Sequence, residues 1–180
     1  MKLYIESMQQ YFQFQNLKGN SYVIRDIDPA IDTQHYFEYI QNPEVIKWMD
    51  ISPYTSVDEV RKDLYHFSRF DENTEGKCFA VALLGTNKLI GTCGYNWKND
   101  VAELVTDLNY NYFDKGIMRP VFKWLVNHIF QNTNASYIAA TILKNNIRCI
   151  NMAKKLNFTQ KKRGCVYSIC WVCPSNYINS

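Results

Sequence analysis

At 180 residues, with 47% apolar and 21% charged residues, the chain is long enough to bury roughly 70% of the surface its unfolded form exposes, so a single domain spanning 1–180 is expected. Seven Gly and five Pro exclude a collagenous or low-complexity protein, and a net charge of +3 from 20 Lys and Arg against 17 Asp and Glu is too small for a nucleic-acid footprint. Glu6, Gln9 and Gln10 interrupt Met1–Phe12 as a signal peptide, and no apolar run approaches the length of a membrane span, so a cytoplasmic protein with no nucleic-acid or membrane partner is expected.

In chain order, Phe12 and Phe14 alternate with Gln13 and Gln15 as a lead-in, and Tyr22–Ile27 reads as a first strand that ends at Asp28 and Pro29. Helical segments follow at 33–40 with the run 44–49, and at 56–70, where Ser56 and Glu59 form a capping box. Phe79–Leu84, Leu89–Trp97 and Val101–Leu108 read as strands joined by short turns, an antiparallel meander. The period then changes from two to 3.6, placing Ile117, Val121, Trp124, Leu125, His128 and Ile129 on one helical face. A strand at Tyr137–Leu143, a helix at Ile147–Leu156 and a terminal apolar pair, Cys165–Tyr167 and Ser168–Cys173, complete the chain. The crossover helix makes 101–108 and 137–143 parallel neighbours. The fold class is therefore α/β (α+β), a mixed, mostly antiparallel sheet with helices on both faces.

The six cysteines read as free thiols, because a chain with a real core needs no disulfides. Cys170 and Cys173 form a CxxC, but residues three apart on a strand face opposite sides, so no metal site is expected. His35, His66 and His128 are isolated from one another in sequence, which gives no hydrolase constellation. His128 sits on an apolar helical face and reads as a core histidine.

The most informative stretch is Glu103–Arg119: a strand, a short polar turn and a helix whose amino end carries Gly116. A glycine where a helix begins lets anionic oxygens approach the free backbone N–H groups, and the helix dipole adds partial positive charge. The competing reading, and the lesser of the two, is a helix start that simply needs a flexible residue. Lys115 and Arg119 add charge there or are solvated surface cations.

Six segments in order resemble the GNAT superfamily of acetyl-CoA-dependent N-acetyltransferases, within it the RimJ/RimL-like branch. They are YVIRDID at 22–28, NPEVIKWM at 42–49, KLIGTCG at 88–94, the strand Ala102–Leu108, FDKGIM at 113–118, and Asn146, Cys149 and Leu156–Phe158. The resemblance runs from about Phe12 to Phe158. It implies that the fourth and fifth strands of the family sheet, here 101–108 and 137–143, are parallel and splayed. It implies acetyl-CoA as co-substrate and no metal, with the pyrophosphate held at Lys115, Gly116, Ile117, Met118 and Arg119. The pantothenate arm would pair with the backbone near Leu108, Asn109 and Tyr110, and Asn146 and Cys149 would contribute from the next helix.

The implied reaction is direct attack of a primary amine, on a protein or peptide N-terminus or a small molecule, on the acetyl thioester. Glu103 is the leading base candidate, against a plain salt-bridging carboxylate, and Asp107 on the same strand face would act through a water. The backbone N–H near Leu108 is the expected oxyanion donor. Tyr36, Tyr39, Trp48 and Tyr54 line the acceptor wall or belong to the core. Four residues depart from the family pattern: Asp114 brings a carboxylate to the phosphate loop, Ala153 stands where many relatives have a catalytic tyrosine, Met118 occupies a position often filled by Gly or Ala, and Asn157 replaces a helix-ending glycine. The first two motivate an alternative, a catalytically weak or inactive CoA-binding or interaction module. The short segment between Gly164 and Cys173 leaves the cleft open on that side or completed by a second subunit, a homodimer.

Overall fold

The computed structural model describes residues 9–49, 51–69, 75–161 and 168–174. Alternation along the strands sorts their side chains between two layers. Phe79 and Val81 point to one face with Tyr22, Ile24, Ile90 and Cys93, where they meet Val121, Leu125, Val126 and Ile129. Ala80 and Leu89 point to the other, against Tyr36, Tyr39, Ile40, Val45, Val60 and Leu64. The apolar area buried in both layers is the main stabilising contribution.

The elements are β1 (Gln10–Gln15), β2 (Ser21–Asp26), α1 (Pro29–Ile40), α2 (Pro43–Ile46), α3 (Val57–Phe67), β3 (Gly76–Leu83), β4 (Leu89–Lys98), β5 (Val101–Leu108), a 3-10 turn (Tyr110–Tyr112), α4 (Met118–Asn132), β6 (Tyr137–Leu143), α5 (Ile147–Lys155), β7 (Thr159–Lys161) and β8 (Ser168–Pro174). One eight-stranded sheet runs in the order β1-β2-β3-β4-β5-β6-β8-β7. Its neighbours are antiparallel except β5 and β6, which are parallel. Helices α1, α2 and α3 cover one face, and α4 and α5 the other.

Several boundaries differ from the sequence reading, each for a local reason. The lead-in is a full strand: Phe12 and Phe14 sit opposite Ile24 and Tyr22, and the Phe14 ring stacks on Tyr22 at 5.4 Å. Helix α1 starts at Pro29 because Asp28 caps it, its Oδ1 accepting the Ala30 N–H at 2.9 Å. At α3 the Ser56 hydroxyl accepts the Glu59 N–H, but the Glu59 carboxylate reaches back to the Thr55 N–H and hydroxyl, so the box closes one residue early. Strand β7 carries no apolar alternation and is exposed; only backbone pairing with β8 makes it a strand. The expected strand at Cys165–Tyr167 lies outside the described residues, and Cys170 and Cys173 both lie on β8.

A buried ion pair locks the α1 side. Arg25 on β2 is 0% exposed and grips Asp32 of α1 with two nitrogens at 2.7 and 2.8 Å. Its guanidinium also donates to the carbonyls of Asp26 and Asn87, and Asp32 accepts the Asp28 N–H. One side chain thus joins β2, the start of α1 and the β3–β4 turn. On the opposite face His128 packs against Trp124, Phe79 and Tyr11 at 4.9, 5.0 and 6.0 Å, an aromatic cluster that accounts for a histidine on an apolar stripe.

Candidate active site

The site begins where two strands part. Val101, Ala102 and Glu103 of β5 pair with Tyr137, Ile138 and Ala139 of β6, and pairing stops there, while β6 continues alongside β8 to Leu143. A cleft of about 660 Å³ opens between Leu104–Leu108 and Ala140–Leu143, walled by α4, α5, the β5–α4 loop and α2. That volume is within the ordinary range for small-molecule and cofactor sites.

The β5 edge supplies backbone groups to this cleft. Asn109 N–H donates to Ile90 O at 2.8 Å, and bonded and non-bonded pairs alternate along an antiparallel ladder. Thr106 and Leu108, opposite Cys93 and Gly91, therefore turn their N–H and C=O away from β4, toward the side that β6 has left. Asn109 itself is committed to the fold, since its side chain caps the 3-10 turn through the Asn111 N–H. Tyr110 packs its ring on Phe113 at 5.3 Å. Neither Asn109 nor Tyr110 lines the cleft, whereas Leu108 does.

The loop after β5 carries the expected cradle. Lys115, Gly116, Ile117 and Met118 line the cleft; Arg119, one residue into α4, does not. Gly116 has φ +74° in the left-handed region, and a Cβ built there would meet nothing within 4 Å, so the glycine serves the backbone turn and leaves open space beside it. Helix α4 has no side-chain cap and no acidic residue in its first turn, so its first N–H groups face the cleft end without an internal acceptor. A residue that sequence reasoning missed holds this loop. Asn16, only 8% exposed at the end of β1, donates to the Lys115 carbonyl at 3.2 Å and to the Tyr22 hydroxyl, and its own oxygen accepts the Lys18 and Asn20 N–H groups.

Asp114, the departure from the family pattern, is paired. Its two oxygens accept from Arg148 Nε and Nη2 of α5 at 2.9 and 3.0 Å, and the Arg148 guanidinium lies 4.6 Å from the centre of the Phe113 ring. Asn146 caps α5 by accepting the Cys149 N–H. The Cys149 thiol lines the cleft, and burial raises its pKa above that of an ordinary thiol. Ala153, one turn further on, also lines the cleft, so this position presents a methyl group and no phenol. Beyond it Asn157 (φ 57°) ends the helix, with Phe158 N–H bonded to Ala153 O and Asn157 N–H to Lys154 O, the Schellman pattern in which Asn replaces Gly with little strain.

The two carboxylates of β5 take different places. Glu103 accepts the Thr141 hydroxyl at 2.6 Å and lies 4.0 Å from Lys98 Nζ. It borders a separate recess of about 250 Å³ and is not among the residues that line the main cleft, although Thr141 is. Asp107 lines the main cleft. It accepts four hydrogen bonds: from Tyr39 OH, from Tyr36 OH at 3.4 Å, and from the Thr92 hydroxyl and N–H at 2.5 and 3.1 Å. Desolvation raises the Asp107 pKa above the usual carboxylate value, opposed by its bonds to Thr92, Tyr39 and Tyr36. The same burial raises both phenols well above the ordinary tyrosine value, with the Asp107 charge adding to it, and desolvation pushes the neighbouring Cys78 thiol up to about 12. Of the aromatics expected at an acceptor wall, Trp48 lines the cleft. Tyr36 and Tyr39 lie buried beneath Asp107, and Tyr54 donates to Asp63 at 2.8 Å. Among the described residues no cluster of His, Cys, Asp and Glu has the makings of a metal site, and no helix is long and apolar enough to cross a membrane.

The comparisons with known proteins agree with this geometry. The chain is 28% identical over 127 residues to an uncharacterized N-acetyltransferase p20 of Bacillus licheniformis, covering 69% of this chain and 71% of that protein. Its fold is similar to a ribosomal-protein-S5-alanine acetyltransferase from Vibrio fischeri, with TM-score 0.74 at 16% identity over 92% of this chain and 98% of the other. It is also similar to a spermidine N-acetyltransferase from Vibrio cholerae in complex with CoA and spermine, with TM-score 0.73 at 18% identity over 88% and 98%. The pattern of the acetyltransferase (GNAT) domain matches residues 22–159; with the splayed strands and the glycine loop in place, the chain belongs to that family and is an N-acetyltransferase.

Proposed function

We propose that the chain moves an acetyl group from acetyl-CoA to a primary amine by direct attack, as a RimJ/RimL-like member, and that the amine belongs to a protein or peptide N-terminus or to a small mono-amine. The observation that carries this reading is the departure of β6 from β5 after Glu103, which leaves the backbone of Thr106 and Leu108 facing a cleft whose far end is the Gly116 loop. The residues present fit the co-substrate: a strand edge for amide groups, and open space beside Gly116 at a helix start for phosphates. When bound, acetyl-CoA supplies the activated acetyl thioester.

The chain's own groups then have separate roles. Backbone N–H groups of Gly116, Ile117 and Met118, with Lys115, hold the pyrophosphate, Arg119 adding only charge from outside the cleft lining, and Asn146 fixes the α5 turn that carries Cys149. The Leu108 N–H is the hydrogen-bond donor for the thioester carbonyl oxygen. Asp107 is the base that takes the ammonium proton, directly or through one water, and its raised pKa brings its basicity closer to neutral pH. Glu103 reaches the cleft only through the Thr141 hydroxyl, whose hydrogen bond it accepts.

Charge supports a mono-amine acceptor. Among the described residues the cleft is lined by two carboxylates, Asp107 and Asp114, and Asp114 is paired with Arg148. A polyamine needs several carboxylates, whereas Val45, Trp48, Met49 and Phe113 offer an apolar wall beside a single one. A second reading, CoA binding without turnover, is favoured by one observation, the methyl group of Ala153 in the cleft wall. Thiol release from acetyl-CoA across a panel of N-terminal peptides, mono-amines and spermidine separates them. Saturable release with a peptide or mono-amine, and little with spermidine, is expected. CoA binding with no turnover on any amine would establish the second reading.

A further inference from the structure

We infer that Arg148 is a further phosphate-binding cation of the acyl-CoA cleft and that Asp114 occupies it as an internal competitor, displaced when the nucleotide end of the co-substrate binds. The inference rests on the acyl-CoA reading of the cleft. Asp114 presents two oxygens to Arg148 Nε and Nη2 at 2.9 and 3.0 Å, the side-on fork that two phosphate oxygens would fill. Both residues line the cleft and come from different elements, Asp114 from the β5–α4 loop and Arg148 from the first turn of α5.

Three features set this contact apart from an ordinary surface pair. Arg148 sits at a helix amino end, where the dipole disfavours a cation unless an anion faces it, and neither α4 nor α5 has an acidic residue in its first turn to serve as that anion. The Arg148 guanidinium lies over the Phe113 ring at 4.6 Å, a cation–π contact on one side. Asp114 adopts φ 58°, a left-handed conformation that an Asp tolerates, and its carboxylate meets Arg148 of the next helix. With side chains 70% and 50% exposed, the pair is weakly held and opens readily when a more highly charged anion arrives.

The contact makes a specific prediction for cofactor affinity. Asp114→Asn keeps the left-handed turn and releases Arg148, so CoA binding by isothermal titration tightens about two- to fivefold. Arg148→Gln weakens CoA binding about tenfold. In the Arg148→Gln background, Asp114→Asn has little further effect, because competition requires the arginine. Pantetheine, which lacks phosphates, binds all four proteins alike. 3′-Dephospho-CoA identifies the phosphate: an unchanged Asp114→Asn gain assigns the pyrophosphate, and a lost gain assigns the 3′-phosphate.

Weaker CoA binding by Asp114→Asn, or tightening that persists without Arg148 and so reflects mere repulsion, would overturn the competitor role. An equal effect on pantetheine would do the same. Absence of CoA binding by the wild-type protein would overturn the acyl-CoA reading itself and this inference with it. Thermal unfolding of each variant checks that both exposed substitutions leave the fold intact.

Discussion

Two buried sets of charges, the Arg25–Asp32 pair and Asp107, have roles set by their environments. Arg25 and Asp32 are fully buried and mutually satisfied apart from Arg25 Nε. Removing one partner strands the other: Arg25→Ala is expected to cost about 3–5 kcal/mol in urea unfolding, whereas Arg25→Met with Asp32→Leu is expected to recover most of that loss. Asp107 is a different kind of buried carboxylate, 8% exposed, bordering the cleft and held by two phenols and Thr92 rather than by a cation. Its folded-state pKa is raised, so between the unfolded Asp value, about 4, and that raised value the native state holds the extra proton. Stability therefore falls as pH rises through this window, and Asp107→Asn should remove that slope. The same substitution should lower kcat/KM about 10²- to 10⁴-fold at neutral pH and abolish the acid limb of the rate profile. Glu103→Gln should leave that limb in place. The sequence named both Glu103 and Asp107 as base candidates but ranked Glu103 first, and the Arg25–Asp32 pair was not legible in it. Asp107 and Glu103 occupy the same strand face, and only the helix packed over Asp107 distinguishes them.

At the scale of elements, the β5–α4 loop is the part most fully readable and most dependent on a single residue. Gly116 needs its left-handed φ but has no steric neighbour, so Gly116→Asn should be tolerated while Gly116→Val should cost about 1–2 kcal/mol and weaken CoA binding. Differential scanning calorimetry and CoA titration check the two halves of that expectation separately. The end of α5 was equally legible, because Asn at a left-handed helix terminus is a matter of backbone sterics. Strands β5 and β6 matched their periodic segments, since alternation over a half-buried face is a strong signal. Strands β1 and β7 were not: Gln-rich β1 offers three aromatics, Tyr11, Phe12 and Phe14, without a strict alternation, β7 offers none, and both depend on pairing to a neighbour. Asn16, which ties β1 to the Lys115 carbonyl, is illegible for the same reason, its partner being 99 residues away.

At the scale of the whole molecule, the sheet is continuous across eight strands except where function interrupts it. Parallel pairing of β5 with β6 lasts for three residue pairs and then ends, so the molecule forgoes strand hydrogen bonds at its centre and keeps a backbone edge for a ligand. Element order and a family resemblance reached this architecture; the cleft's charge balance and the Arg148–Asp114 contact required coordinates. The most direct test of direct acetyl transfer in this cleft is mass spectrometry of the products formed with acetyl-CoA and an N-terminal peptide or mono-amine. The account predicts acceptor carrying one acetyl group on its amine nitrogen, formed in step with free CoA and lost in Asp107→Asn. Free CoA accumulating without any acetylated amine, or acetylated product formed undiminished by Asp107→Asn, would contradict it.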